Sequence, residues 1–307
     1  MKKLAIIIPA YKDTYLHNAL SSISNQTCKD FNLYIGDDAS PYDLTKITKP
    51  SYNKLNITYK RFDKNIGGKN LVKQWERCIE LTQGEEWLWL FSDDDEMDKD
   101  CVKNFYMELN KTIRYDLYHF NINIIDANSN IKKTFIFPEH LNVIDFIRRK
   151  SRGKIESFVV EYIFSREIYL KEKGFQQFDL AWNSDDATWI KFGKEKGIKT
   201  IKGGKISWRE SPYNISPNNT NKELIERKIK ANIKYIDYIK SCFSNYIFIT
   251  RLLRPIATWQ ITNLCIYRKV LTSKTIKQYI KISCNHLNAK YIYPLALLYY
   301  SYKKNKI

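Results

Sequence analysis

Three adjacent aspartates, Asp93, Asp94 and Asp95, follow the wholly apolar run Trp87-Leu88-Trp89-Leu90-Phe91. Neighbouring carboxylates repel one another, so a fold that keeps three together must offset their charge. A divalent cation does this, and so does a solvated polar turn. The run before them predicts a strand buried on both faces, as in a parallel sheet. A rigid strand that delivers carboxylates to a sheet edge favours the metal. Two more acid pairs stand out. Asp37-Asp38 closes the run Phe31–Ile35 and serves either as a carboxylate acceptor or as an Asx turn before Ser40 and Pro41. Asp185-Asp186 precedes a helical pattern. Adjacent acids raise each other's pKa, which suits a base, and they equally suit a helix cap.

These residues need elements to hold them. Leu4–Ile8 ends in Pro9-Ala10-Tyr11. Ile57–Arg61 leads to Asn65-Ile66-Gly67-Gly68-Lys69. Between the strand-like runs, Leu16, Ala19, Leu20 and Ile23 fall at helical spacing, as do Leu71, Val72, Trp75, Cys78 and Ile79. Alternation of this kind predicts an α/β fold with right-handed crossovers. Strand C-termini then face one crevice, the usual ligand site of open α/β sheets. Tyr11, Asp38, Lys69 and Asp94 are expected to line it. Further on, Asp116–Ile125 and Lys133–Phe137 predict a hairpin around Asp126–Asn130. Ala187–Lys196 predicts a helix that stops at Gly197. Lys199–Ile201 and Lys205–Trp208 predict short strands. Residues 209–220, with Pro212 and Pro217, predict a linker or loop.

Length and composition bound the rest. The chain has 307 residues, enough for one large core and an appendage. The apolar start stops at Pro9, short of a secretory h-region. No uncharged apolar run approaches the roughly 18–20 residues of a membrane span. Six cysteines without CxxC pairing predict reduced core residues of a cytosolic protein. His17, His119, His140 and His286 show no ligand spacing and are expected to be structural or on the surface. The net charge of +18 is uneven. Residues 219–307 hold 17 Lys and Arg against 3 Asp and Glu, a balance of +14. The expected division is therefore a catalytic domain over 1–218, with halves at 1–115 and 116–218, and a basic helical extension over 219–307.

The blocks together resemble a known family. "LAIIIPAYKDTYLHNALSSISNQTCKDFNLYIGDDAS", "GEEWLWLFSDDDEMD" and "WNSDDATWIKFG" are similar to segments of the family 2 glycosyltransferases, over residues 1 to about 215. That resemblance implies a GT-A fold, Rossmann-like, with a mostly parallel sheet flanked by helices. It implies inverting transfer from a nucleoside-diphosphate sugar, most simply a UDP-sugar, with Mg²⁺ or Mn²⁺ neutralising the leaving diphosphate. Asp94 would hold the metal with Asp95, and Asp93 would reach the ribose or the metal. The commonest family form has an aspartate where this chain has Ser92. Asp38 would accept the uracil N3–H, with Pro9, Ala10 and Tyr11 packed on the base and Lys69 near a phosphate. Asp186 aligns with the general base, Asp185 stands beside it, and Trp182 would form an acceptor platform. Arg209 resembles a position at a loop that closes over the diphosphate, where an arginine fork suits phosphate oxygens.

The acceptor implied is a saccharide or lipid-linked saccharide of surface-polysaccharide or glycolipid assembly. The basic, tyrosine-rich tail then suits an anionic membrane surface, on the cytoplasmic face of the plasma membrane. It equally suits packing on the catalytic domain, or a homo-oligomer contact through its helices. Two other classes compete. A nucleic-acid-binding protein explains the tail but not an acidic cleft, which repels a polyanion, so no nucleic acid is expected as partner. A metal-dependent nucleotidyltransferase explains the acidic turn but not Asp186.

Overall fold

A computed structural model describes residues 3–51, 53–211 and 219–306. The chain forms two compact units that interleave in sequence. The first comprises Met1–Val143, Glu156–Gln176 and Thr188–Ser211; the second comprises Ile144–Ile155, Gln177–Ala187 and Pro212–Ile307. The sequence pattern sets the helical extension off near residue 218; in the second unit, Ile144–Ile155 and Gln177–Ala187 group with the C-terminal helices. Pro212 and Pro217, from the expected linker, lie outside the described residues.

The first unit holds a ten-stranded sheet: β1 Leu4–Ala10, β2 Phe31–Asp37, β3 Ile57–Arg61, β4 Trp87–Leu90, β5 Glu96–Met97, β6 Leu117–Ile125, β7 Ile131–Phe135, β8 His140–Leu141, β9 Tyr162–Ser165 and β10 Ile198–Arg209. Its order is β3-β2-β1-β4-β9-β6-β10-β5, with β7 on β6 and β8 on β10. The four strands β3, β2, β1 and β4 are parallel. β9 runs antiparallel between β4 and β6, and β10 returns parallel to β6. The strands β1, β2 and β4 lie inside the sheet and are buried along almost their whole length. β3 is an edge strand with polar, exposed positions.

Helices α1 Leu16–Ser24, α2 Thr45–Thr48, α3 Leu71–Ile79, α4 Cys101–Leu109, α5 Val143–Ser151, α6 Arg166–Lys171 and α7 Ser184–Phe192 follow the strands. α1 buries Leu16, Ala19, Leu20 and Ile23, the four residues at helical spacing. α3 starts where the Asn70 side chain accepts the Lys73 N–H. α7 begins three residues before the expected start, at Ser184. Asp185 and Asp186 therefore occupy its first turn, where the helix dipole favours carboxylates. The two strands expected at 199–208 are one strand, β10, with a register shift between Ile201 and Lys205. Gly203 supplies a φ of +87° there, and a Cβ on Gly204 would meet Cys101 Sγ at 2.8 Å.

The second unit is built on α8 Lys222–Cys242, α9 Asn245–Ile247, α10 Leu253–Ile266, α11 Ser273–His286 and α12 Tyr293–Lys304. Its core joins Ile225, Ile229 and Ile233 of α8 to Ile261 and Leu264 of α10, Ile276 and Ile280 of α11, and Tyr300 of α12. Ile225, Ile229 and Ile233, and likewise Ile276 and Ile280, fall at helical spacing in the sequence. Among the described residues no helix is long and apolar enough to cross a membrane. All six cysteines are unpaired. His119 is buried, and burial pushes its imidazole down to about 3, so it stays neutral and structural.

Candidate active site

The ends of β1, β2 and β4 meet through named hydrogen bonds. Asp93 Oδ2 accepts the backbone N–H groups of Tyr11 and Lys12, at 2.8 and 2.9 Å. That ties the acidic turn to the end of β1. Ser40 Oγ donates to the Tyr11 carbonyl at 2.7 Å, and the Asp38 N–H donates to the Ala10 carbonyl at 2.9 Å. Pro9 pairs with Gly36 and Ala10 with Asp37 in the sheet. Tyr11, by contrast, is 41% exposed just past the strand. These bonds bring Tyr11, Asp38 and the Asp93–Asp95 turn to neighbouring strand ends.

Asp37 and Asp38 have different work. Asp37 is buried and binds the Ser40 N–H, the Tyr59 hydroxyl and Arg61. It fastens the loop. Asp38 reaches the 65–69 loop, where its carboxylate accepts the Ile66 and Gly67 N–H groups at 2.9 and 2.8 Å and pairs with Arg77. A carboxylate offers about four acceptor directions, so room remains for one more donor. Gly67 is required by this approach: a Cβ there would stand 2.6 Å from Asp38 Oδ2. Arg77 lies over the Phe62 ring at 3.8 Å. Lys69 is exposed in the same loop, its N–H bonded to the Ile66 carbonyl.

The three acids of the β4 turn are all buried. Burial and the neighbouring Asp94 charge push Asp93 up to about 6. The same two causes push Asp95 upward. Asp94 has the Lys12 ammonium at 3.4 Å and accepts from Ser92 Oγ. Burial is the larger cause and the crowding of the acids adds to it, with Lys12 opposing at Asp93 and Arg209 at Asp95. Hard carboxylate oxygens with uncompensated charge fit Mg²⁺ or Mn²⁺. Among the described residues no group of three or more His, Cys, Asp and Glu side chains is arranged around an ion position. Mg²⁺ at phosphate sites takes one or two protein carboxylates and fills its shell with phosphate and water.

Arg209 corrects an expectation. Its guanidinium is fully buried, and its N–H groups are engaged within the protein. Nε donates to the Asp94 carbonyl at 2.8 Å, Nη1 to the Asp126 and Ala127 carbonyls, and Nη2 to Glu96 and Ser129. Its backbone N–H meets Asp95 Oδ1 at 2.7 Å. Five guanidinium N–H groups with five protein acceptors leave none for phosphate. Arg209 braces the acidic turn from behind.

The acid pair is built in the second unit. Asp186 is buried, and its Oδ2 lies 2.7 Å from Lys150 Nζ of α5. Asp185 is half-buried. Burial, then the Asp186 charge, pushes it up to about 7. Just before the pair, Leu180, Ala181 and Asn183 all have φ between 53° and 61°. Such backbone persists only where surroundings hold it. The hold is Asn232 of α8: its Oδ1 accepts Trp182 Nε1 at 2.8 Å and Asn183 Nδ2 at 2.9 Å. Lys228, one turn earlier, sits over the Trp182 ring at 4.6 Å, and burial pushes its ammonium down to about 8. Sequence reasoning missed Lys12, Arg77, Lys150, Lys228 and Asn232. A signal existed for the last two: they sit four apart beside the buried isoleucines of α8.

The model of the family described as "Glycosyl transferase family 2" matches residues 5–170. The chain belongs to that family. It is a glycosyltransferase, which sets aside the nucleic-acid-binding and nucleotidyltransferase alternatives. A GalNAc(5)-diNAcBac-PP-undecaprenol beta-1,3-glucosyltransferase of Campylobacter jejuni is 21% identical over 271 residues, 80% of this chain and 81% of that protein. The poly(ribitol-phosphate) beta-N-acetylglucosaminyltransferase TarS of Staphylococcus aureus is 30% identical over 108 residues. That stretch is 34% of this chain and only 18% of the relative. Among solved structures, S. aureus TarS 1-349 in complex with UDP-GlcNAc superposes with a TM-score of 0.61 at 14% identity, covering 99% of this chain and 90% of that one. The mannosyltransferase PcManGT of Pyrobaculum calidifontis, in complex with GDP-Man and Mn²⁺, gives 0.54 at 11% identity, over 98% and 86%. The family 2 glycosyltransferase therefore has the expected GT-A fold: an α/β core with a parallel first half-sheet, followed by C-terminal helices.

Proposed function

We propose that this glycosyltransferase moves a sugar from a UDP-sugar, with inversion, onto a saccharide or lipid-linked saccharide of surface-polysaccharide or glycolipid assembly. The observation that carries it is the Asp93 carboxylate holding the Tyr11-Lys12 backbone, which sets the acidic turn beside the loop that ends in Asp38. A base-reading acid and a phosphate-facing acid cluster then belong to one strand-end crevice. Asp38 accepts the imide N–H of the base, while Pro9, Ala10 and Tyr11 pack against it. Asp93 serves the ribose side. Lys12 and Lys69 supply positive charge toward the diphosphate.

Asp94 would hold Mg²⁺ or Mn²⁺, with Asp95 behind it; when bound, the ion neutralises the leaving diphosphate. Asp186 takes the proton of the attacking acceptor hydroxyl, and Asp185 and Lys150 set its charge. Trp182 offers the acceptor an aromatic face. TarS was solved with UDP-GlcNAc, and the Campylobacter relative is named for an undecaprenol-linked acceptor. Both support a UDP donor and an acceptor carried on lipid or polymer. A basic tail suits work at the cytoplasmic membrane surface.

The test is isothermal calorimetry with UDP, GDP and dTDP, each with Mn²⁺ and with EDTA. UDP with Mn²⁺ should bind tightest. Equal or tighter binding of GDP would overturn the uracil assignment.

A further inference from the structure

Helix α12 turns an apolar stripe outward. Tyr291, just before it, and Leu295, Leu298 and Tyr302 fall at helical spacing and are 70%, 65%, 69% and 54% exposed. The opposite side buries Ala296 and Tyr300 in the core of the helical unit. Lys274, Lys277 and Lys281 share one face of α11 and, with Gln278 and with Tyr293 at the start of α12, line a surface pocket of about 390 Å³. None of the three lysines has an acidic partner among the described residues. Lys306 stands over the Tyr302 ring at 4.4 Å, and Lys303 over the Tyr299 ring at 5.8 Å. The surrounding sequence is as one-sided. Residues 238–307 contain 12 Lys and Arg and no Asp or Glu.

We propose that this α11–α12 face docks on an anionic lipid bilayer. The Tyr291–Tyr302 stripe enters the interface, and the pocket of Lys274, Lys277 and Lys281 takes a lipid phosphate. Leucines flanked by tyrosines suit the boundary between acyl chains and headgroups, and lysines around them suit negative lipids. Charge complementarity selects this occupant. A second copy pressed on the same face would bring lysines against lysines with no acid to pair them. The proposal gives a place on the molecule to the membrane surface suggested above, and it rests on the lipid-linked acceptor only for its purpose.

The experiment is co-sedimentation of the full chain with phosphatidylcholine vesicles, alone or with phosphatidylglycerol, at low and high salt. UDP affinity is measured on the same preparations. The wild-type chain should bind only the anionic vesicles, and salt should release it. L295E/L298E, and separately K274E/K277E/K281E, should each weaken binding about tenfold or more. K54E/K99E/K103E, an equal charge change on the sheet unit, should leave it unchanged. UDP affinity should survive in all of them. Should L295E/L298E melt early, L295Q/L298Q repeats the measurement with neutral side chains. Equal losses in the control triple would reduce the effect to net charge and overturn the docking face. So would wild-type binding by the leucine variants, or self-association abolished by L295E/L298E while vesicle binding persists. Vesicle binding without UDP binding would sink the donor assignment and leave this face standing.

Discussion

Lys150 Nζ stands 2.7 Å from Oδ2 of the buried Asp186, and the next carboxyl, Asp185, is pushed up to about 7. The two acids of one motif are thereby made different. An ammonium in contact favours the carboxylate form of Asp186, while burial and that same charge favour the protonated form of Asp185. Ionisation of Asp185 sets a second negative charge beside the Asp186 base and strengthens it, so activity should rise with pH through about 7. Lys150→Met should move the rising limb alkaline by about one pH unit and lower turnover. A kcat/KM profile against pH checks both. A profile flat through neutrality would sink the assignment.

The same shift makes a stability prediction with a definite sign. Asp185 ionises at about 7 in the folded chain and at 3.8 ordinarily. Between those values the folded state binds more protons than the unfolded state, so this group's contribution to stability falls as pH rises. It levels off above the folded value. Asp185→Asn removes that loss. Its melting temperature should exceed wild type at about pH 8 and match it at about pH 4.

Substitution separates the roles within the pair. Asp186→Asn should cost on the order of 10²–10⁴ in turnover, the worth of a positioned base, with UDP affinity little changed. Asp185→Asn should cost less. The reverse order in single-turnover rates would exchange the two assignments.

Asp94→Asn should abolish transfer and remove most of the Mn²⁺ dependence of UDP binding, while the melting temperature holds or rises. The rise follows because one of three crowded charges is gone. Wild-type turnover undiminished by excess EDTA would refute the metal role of this acid.

The parallel half-sheet was legible because each strand is one contiguous run. Leu4–Ala10, Phe31–Asp37 and Trp87–Leu90 are largely apolar runs, and such runs mark the sheet interior. What escaped depends on distant partners. Lys150 meets Asp186, and Asn232 holds Trp182 and Asn183, through tertiary contacts that no spacing announces. Arg209 was misplaced for a related reason. A motif gives a residue type near a loop, but not the direction of its side chain. Five acceptors from the 94–129 region decided that direction.

Arg209 therefore yields the sharpest contrast between an expectation and the structure. A phosphate-gripping arginine would lose donor affinity on substitution and little stability. A buried brace does the opposite. Arg209→Met leaves Glu96 without its cation and three carbonyls, of Asp94, Asp126 and Ala127, without donors. Glu96 is partly exposed, so the larger cost is the carbonyls left without donors, about 1–3 kcal/mol for each one buried. For a chain of this size that lowers the melting temperature by on the order of 10 °C. The bond to Asp95 survives, because a backbone N–H makes it. UDP affinity, measured well below the transition, should then stay within about threefold of wild type, which is under 1 kcal/mol. Gly67→Ala is the counterpart. Its new Cβ would stand 2.6 Å from Asp38 Oδ2. It should weaken UDP binding about tenfold with a small change in melting temperature. Scanning calorimetry and titration of the two variants read the roles apart. An Arg209→Met chain with wild-type melting and lost UDP affinity would return this arginine to the diphosphate.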